Sequence, residues 1–248
     1  MTELLYQLDS YLREFEAQVT DTVDGGVVLD RTAFYPGGGG QPCDVGSLQA
    51  GEERWQVTKV ARKDGRLVHF LDRESPPAGT SMMGVLDWDR RYDLMRTHTA
   101  MHILCGVIWR DYGASVTGGN MQARKGRMDF EFEHMRKELV QEIEEKVNVE
   151  VAAGRALHVR VLPREEAFQI PDLIRTKINL LPPHITEVRV VEIEGLDMQA
   201  DGGTHVANTA EVGSLRIVDY KSKGRINKRL VLALEEGTAT SRKGDGDV

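Results

Sequence analysis

The sequence predicts an α+β protein, in which a small N-terminal β-barrel precedes a domain of long helices packed on an antiparallel sheet. Short β-rich runs separated by glycine-containing turns fill the first part of the chain, which is typical of a small barrel. Two long stretches with helical periodicity and several further β-rich runs make up the second part. This combination favours helices that cover one face of a sheet.

The barrel domain is predicted to span residues 1–86. Its strands alternate with turn sequences such as Asp24-Gly25-Gly26 and Asp64-Gly65, which favour tight reversals of the chain. Two consecutive prolines, Pro76 and Pro77, then interrupt the pattern near the predicted domain boundary. The predicted strands are residues 15–19, 26–29, 55–60 and 67–71.

The second domain is predicted to span residues 87–236. A helix over residues 91–110 carries its apolar side chains on one stripe and has Gly113 after its end. A second helix is predicted over residues 134–153, and a short one after Pro163. The predicted strands are residues 157–162, 187–193, 214–220 and 228–234. The last residues, 237–248, are small and polar and are predicted to form a disordered tail.

The composition of the 248-residue chain, 40% hydrophobic and 29% charged, describes an ordinary globular protein. No apolar run approaches the roughly 20 residues needed to span a bilayer, and the acidic N-terminus does not resemble a signal peptide. Two cysteines, Cys43 and Cys105, cannot form a disulfide framework. These features predict a cytoplasmic protein without a membrane partner.

The formal net charge of −7 argues mildly against nucleic-acid binding, because phosphates favour a positive surface. One local cluster of basic residues runs against this balance and offers candidate contacts to a nucleic acid. Its members are Lys221, Lys223, Arg225, Lys228 and Arg229. The commoner explanation for such a cluster is a solvated hairpin that keeps an edge strand from pairing.

A metal site is indicated by histidines in two distant segments. His98 and His102, in the sequence RTHTAMH, are four residues apart in a predicted helix and would lie on one helix face. Two histidines satisfied by hydrogen bonds in a core would show the same spacing. The later sequence DMQADGGTH adds Asp201 and His205, and its two glycines allow a tight turn toward a metal. Three histidines and a carboxylate form a suitable donor set for zinc.

These segments together resemble a known family. RTHTAMH followed by DGGTHV is similar to the paired metal motifs of alanyl-tRNA synthetase editing domains. The upstream sequence LDRTAFYPGGGGQPCD resembles the glycine-rich motif of that family, and RMDF and VRVV match further segments in the same order. The matches cover most of the chain and leave no room for the catalytic domain of a synthetase. The chain therefore resembles the free-standing alanyl-tRNA editing proteins.

The resemblance implies a reaction and a cofactor. The expected reaction is hydrolysis of the ester that joins a wrong amino acid, mainly serine and secondarily glycine, to tRNA(Ala). One Zn²⁺ per chain is expected on His98, His102 and His205, where it activates water, polarises the carbonyl or positions the substrate. The family's common cysteine is Asp201 here, so the fourth ligand is Asp201, water or Cys105. Cys105 is more simply explained as a small buried hydrophobe, and Gln199 is a weaker alternative.

The resemblance also implies substrate contacts. Thr32 matches the family position that contacts the seryl side chain, although β propensity alone explains a lone threonine in a strand. The other candidates for substrate binding are Gly37, Gly38, Gly39, Gly40, Gln41 and Gln122. The basic cluster supplies the candidate contacts to the acceptor end of tRNA(Ala).

Two other functions are compatible with a metal site. A zinc peptidase of the commonest helical type would have glutamate after the first histidine, where this chain has Thr99. A non-catalytic tRNA-binding module could retain the fold and a structural zinc ion. Ester hydrolysis measured with and without a chelator separates the second possibility from an editing enzyme.

Overall fold

The computed structural model describes residues 2–175 and 185–235, and its first part contains a closed six-stranded β-barrel. The strands in chain order are β1 (Glu3–Leu4), β2 (Glu14–Val23), β3 (Gly26–Leu29), β4 (Arg31–Thr32), β5 (Gly46–Ala50), β6 (Glu53–Lys63), β7 (Arg66–Leu71) and β8 (Ser81–Leu86). The barrel closes in the order β2-β3-β7-β6-β5-β8, while β1 and β4 form a separate parallel pair. Alternate residues of β2, including Phe15 and Val19, face the apolar barrel interior.

All four predicted barrel strands are present, and two more, β5 and β8, were not predicted. Both contain a glycine that looks like a strand breaker in the sequence. A Cβ atom on Gly84 would lie 2.4 Å from the ring of Phe15, and one on Gly46 would lie 2.2 Å from the carbonyl oxygen of Val85. These glycines therefore allow close packing inside the barrel instead of marking turns.

The second part combines helices with two antiparallel sheets, which confirms the predicted α+β class. Its elements are α1 (Trp88–Tyr112), β9 (Val116–Gln122), β10 (Lys125–Glu131), α2 (Lys137–Ala152), β11 (Leu157–Pro163), α3 (Arg164–Ala167), β12 (Glu187–Ile193), β13 (Asp197–Ala200), β14 (Leu215–Ser222) and β15 (Asn227–Leu234). Short 3₁₀ helices occupy Leu5–Gln7 and Thr209–Val212. One sheet has the order β14-β15-β10-β9 and the other β11-β12-β13. The predicted tail, residues 237–248, lies outside the described residues.

Helix α1 forms the centre of this second part and carries two of the predicted metal ligands. Asp87 begins the helix by accepting a hydrogen bond from the Arg90 amide, and Gly113 ends it in a left-handed conformation with φ of 62°. The helix packs against α2 and against strands β9 and β10, so that most of its middle is buried. None of the helices in the described part of the chain is long and apolar enough to cross a membrane.

A buried ion pair joins the barrel to α1. The Arg91 guanidinium binds both carboxylate oxygens of Asp44, and both side chains are almost completely inaccessible to solvent. Arg91 also donates to the carbonyl oxygens of Ser10 and Ala33, while Asp44 accepts from the Tyr35 amide. This fully paired network fixes the start of α1 relative to the segment that contains the glycine-rich loop.

Candidate metal centre

The predicted metal-binding side chains meet in one buried cluster. Helix α1 presents His98 and His102, and the loop after β13 brings in Asp201 and His205; their ligand atoms lie within 4.8 Å of one another. The Nε2 atoms of the three rings all face the Asp201 carboxylate. The distance from Nε2 to the nearer carboxylate oxygen of Asp201 is 3.5 Å for His98, 4.0 Å for His102 and 3.1 Å for His205.

The loop can approach α1 this closely because residue 203 is glycine. A Cβ atom at Gly203 would lie 2.4 Å from Cε1 of His98 and 2.6 Å from Oε1 of Gln41. Gly202, its neighbour, has no atom within 4 Å of the equivalent position. Of the two glycines in the loop, Gly203 is the one that the packing requires.

Polar side chains behind two of the rings orient them. Nδ1 of His102 lies 3.4 Å from the buried carboxylate of Asp197, and Nδ1 of His205 lies 3.1 Å from Oγ1 of Thr99. The Asp197 carboxylate can only accept, so its contact favours the His102 tautomer with the proton on Nδ1 and directs the Nε2 lone pair of His102 into the cluster. The Thr99 hydroxyl can donate or accept, and it holds the His205 ring in place in either tautomer. Such outer contacts are the usual way in which proteins orient metal-binding histidines.

The protonation states also suit a metal ion. Burial lowers the pKa of His98 to about 4, and burial together with the neighbouring His98 lowers the pKa of His205. For His102, burial is outweighed by Asp197 and Asp201, which raise its pKa. Burial would raise the pKa of Asp201, but the surrounding histidines hold it well below its usual range. The cluster thus offers a carboxylate and at least two neutral imidazoles, the forms that bind metals.

An arginine that the sequence did not single out holds the loop in place. The buried Arg189 donates through Nη1 to the carbonyl oxygens of Asp201 and Gly203, at 3.0 and 2.8 Å. Its Nε donates to the carbonyl oxygen of Gln7, 182 positions earlier in the chain. Arg189 therefore connects this loop after β13, residues 201–205, which we call the metal loop, to the N-terminal segment. In the sequence it is an ordinary charged residue of a strand, and no local pattern would have revealed this function.

The donor set fits a zinc ion. Imidazole nitrogen and carboxylate oxygen are both accepted zinc ligands, and four donors match its tetrahedral preference. An Nε2 lone pair cannot form a hydrogen bond with the Asp201 carboxylate, because both groups only accept, whereas one metal ion can bind all four donors. Cys105 is buried outside this group of ligands, and burial raises the pKa of its thiol. Gln199 donates to Asp197 at 2.6 Å.

The glycine-rich loop lies next to the cluster. Gln41 donates through Nε2 to Oγ1 of Thr204 at 2.8 Å and accepts from the Thr204 amide at 3.1 Å, which joins this loop to the metal loop. Gly37, Gly38, Gly39 and Gly40 all have positive φ angles. At Gly40 a Cβ atom would lie 2.9 Å from the carbonyl oxygen of Gly119. The loop is therefore in close contact with both β9 and the metal loop.

Thr32 and Gln122, the other predicted substrate contacts, are not in this group. Thr32 is fully buried, and its Oγ1 accepts from the Phe34 amide at 3.1 Å and lies 2.8 Å from Nε2 of His69. To bind a substrate, the Thr32 hydroxyl must therefore form its third hydrogen bond or exchange one of its present partners. Gln122 is exposed at the end of β9.

The predicted basic cluster is only partly available. The buried Lys228 ammonium donates to the carbonyl oxygens of Gly224 and Arg225, both at 2.8 Å. Arg229 binds both oxygens of Asp129 at 2.7 Å. These contacts remove both residues from the freely exposed basic surface. The remaining members, which are exposed in the β14–β15 hairpin, are Lys221, Lys223 and Arg225.

Two segments of the chain match family models of tRNA synthetase domains. Residues 6–90 match the family model described as tRNA synthetases class II (A). Residues 188–231, which include the metal loop, match the threonyl and alanyl tRNA synthetase second additional domain.

Full-length relatives give the same assignment. The chain is 41% identical over 233 residues to the alanyl-tRNA editing protein AlaX-M of Saccharolobus solfataricus. The aligned region covers 93% of this chain and 98% of the relative. Identity to the AlaX-M protein of Methanosarcina acetivorans is 39% over 243 residues, covering 94% of this chain and 99% of that protein. Alanine–tRNA ligase of Ignicoccus hospitalis is 38% identical over 226 residues, 89% of this chain but only 24% of the ligase. With near-complete coverage of both partners, the chain belongs to the AlaX-M family of alanyl-tRNA editing proteins.

Proposed function

We propose that the protein is a trans-editing hydrolase that removes serine from mischarged Ser-tRNA(Ala), with Gly-tRNA(Ala) as a second substrate. The observation that carries the proposal is the convergence of three histidine Nε2 atoms and the Asp201 carboxylate in one buried cluster. Membership of the alanyl-tRNA editing family supplies the substrate class. The metal proposed for the cluster is one Zn²⁺ ion.

His98, His102, His205 and Asp201 would hold this ion, with water as the alternative fourth ligand. When bound, zinc supplies charge that can polarise the ester carbonyl or lower the pKa of a water molecule. The protein supplies the geometry: Asp197 and Thr99 keep two rings oriented, and Arg189 keeps the loop closed against α1. These fixed contacts mean that little reorganisation is needed when a charged transition state forms.

Selection of serine over alanine depends on one hydroxyl group. A polar group that forms a hydrogen bond with this hydroxyl would have no partner when alanine is bound. The resulting loss of free energy discriminates serine from alanine more strongly than the shape of the pocket alone. We place Thr32 in this role, with Gly37–Gly40, Gln41 and Gln122 as the surrounding substrate contacts. Thr32 already makes two hydrogen bonds, and its hydroxyl group can form one more with a substrate.

Deacylation of charged tRNA tests the proposal. Purified protein loaded with zinc is expected to release serine from Ser-tRNA(Ala) and to spare Ala-tRNA(Ala), and a chelator should abolish this release. Equal rates on both substrates would reject selective editing. Binding of tRNA without hydrolysis, at any zinc concentration, would identify a non-catalytic tRNA-binding module with a structural metal.

A further inference from the structure

Strands β9 and β10 have one buried face and one exposed face. Met128 and Phe130 of β10 are buried in the core, and Met101 of α1 would contact any Cβ atom added to Gly126 or Gly119. The alternate positions point to the opposite face of the sheet. Cross-strand pairs on that outer face are Lys125 with Gln122 and Arg127 with Asn120. We call these four residues the β9–β10 patch.

The side chains of the patch make few contacts within the protein. In residues 2–175 and 185–235, no hydrogen bond or ion pair engages the side chains of Asn120, Gln122 or Lys125, and all three are exposed. The Arg127 side chain is 42% exposed, and among the described residues its ion-pair partner is Asp129, at 4.0 Å. Asp129 is already bound by both nitrogens of Arg229. Two cations and two amides thus remain available to a ligand.

The patch is adjacent to the candidate metal centre. Gly40 lies against the outer edge of β9: its carbonyl oxygen accepts from the Met121 amide at 3.0 Å, and a Cβ atom on Gly40 would lie 3.1 Å from Cα of Asn120. The next residue, Gln41, binds Thr204 of the metal loop. On the buried side of the same strands, Met101 directly precedes His102. The glycine-rich loop therefore lies between the patch and the cluster: Gly40 contacts β9, and Gln41 contacts the metal loop.

This arrangement fits phosphate groups. Lysine and arginine bind phosphate oxygens through charge and through directed N–H groups, and amide side chains can add further hydrogen bonds. The chain as a whole has a net charge of −7, so a polyanion would gain from contacts confined to such a local patch. Resting on the proposed function, we propose that the β9–β10 patch binds the phosphodiester backbone of the single-stranded, charged end of tRNA. It thereby guides the aminoacyl ester over the glycine-rich loop to the metal loop.

The test removes the two charges without touching the metal centre. In the Lys125→Gln/Arg127→Gln variant, affinity for uncharged tRNA should fall roughly tenfold at moderate salt. The slope of log K against log salt should shrink by about 1.4, because each lost single-strand phosphate contact contributes about 0.7. The ratio of hydrolysis rates on Ser-tRNA(Ala) and on a seryl ester of adenosine, which has no phosphates, should also fall about tenfold.

The matched control is Arg54→Gln/Lys63→Gln, which removes two exposed charges from β6 of the barrel. An equal loss of affinity and an equal change of slope in this control would overturn the proposal, since only overall charge would then matter. An unchanged slope in the patch variant would also overturn it. These binding data do not depend on turnover. The proposed function fails separately, if the wild-type protein hydrolyses neither ester.

Discussion

Asp197 lies 3.4 Å from Nδ1 of His102, on the side of the ring opposite the Nε2 atom that faces Asp201. The Asp197 side chain is completely inaccessible to solvent and is also contacted by Gln199 and Arg175. A buried carboxylate held by three partners gives the imidazole a fixed orientation and a fixed tautomer.

Replacing Asp197 with asparagine should therefore weaken metal binding. The amide keeps the volume of the side chain but loses the charge that orients His102, and the loss of zinc affinity should be about 10- to 100-fold. Competition with a chromophoric chelator measures this affinity directly. A variant with wild-type affinity would show that Asp197 only fills space in the core.

Gly203→Ala should disrupt the cluster without unfolding the protein. The added methyl group would lie within 2.6 Å of both His98 and Gln41, so that the loop must move away from α1. Zinc content and deacylation should fall together. The neighbouring Gly202→Ala is the control, because its Cβ has nothing within 4 Å. Comparable losses in the two variants would contradict a specific role for Gly203.

Alanine variants of the histidines test the ligand assignment. Replacement of His98, His102 or His205 should each lower zinc content and activity, whereas Cys105→Ala should preserve both. Asp201→Ala is expected to have a smaller effect on zinc retention, because water can occupy a fourth position. The measurement is metal analysis after gel filtration. If the Cys105→Ala protein contained no metal, Cys105 would have to be a ligand.

Thr32→Val tests the substrate contact while preserving the shape of the side chain. One neutral hydrogen bond contributes about 0.5–1.5 kcal/mol, so the preference for Ser-tRNA(Ala) over Ala-tRNA(Ala) should fall by up to roughly tenfold. Zinc content should not change, because Thr32 contacts His69 in the barrel and none of the metal ligands. If the ratio of the two deacylation rates is unchanged, selectivity lies elsewhere, and Gln122 is the next residue to replace.

Buried neutral histidines make the stability of the metal-free protein depend on pH. Burial lowers the pKa of His69 to about 4, whereas an unfolded histidine titrates near 6.5. Between these values the unfolded state binds more protons, so this stabilisation is complete above about pH 6.5 and is lost as the pH falls toward 4. The shift corresponds to about 3 kcal/mol. The free energy of unfolding, measured with urea in the presence of a chelator, should depend less steeply on pH in His69→Gln than in the wild type. Parallel curves for the two proteins would contradict this role of His69.

How far the sequence predicts this protein depends on the range of each interaction. The pairing of His98 with His102 follows from helical spacing, and the strands and helices with clear periodicity were found within a few residues. Strands β9 and β10 were not predicted, because VTGGNMQ contains two glycines and mostly polar residues. Their place in the sheet comes from pairing with β15 and from Met101 packing beneath Gly119 and Gly126.

The supporting contacts of the site could not be predicted for the same reason. Thr99, Asp197 and Arg189 look like ordinary residues of a helix and two strands. Their roles arise from partners that are distant in sequence, as between Thr99 and His205, which are 106 positions apart. Asp201 and His205 were identified from the glycine-containing motif and from the family resemblance, because spacing alone does not join a loop to a helix 100 residues earlier.

The contact between Arg189 and Gln7 has a consequence for biosynthesis. It joins positions 182 residues apart, and the His205 amide reaches Oγ of Ser10 over 195 residues. A ribosome must therefore complete most of the chain before the N-terminal segment can meet its partners. Because such long-range closure is slow, the nascent chain passes through a stage in which the barrel strands are available but the histidines are still apart. A metal ion bound by this cluster would then be captured late in maturation, by a nearly finished fold.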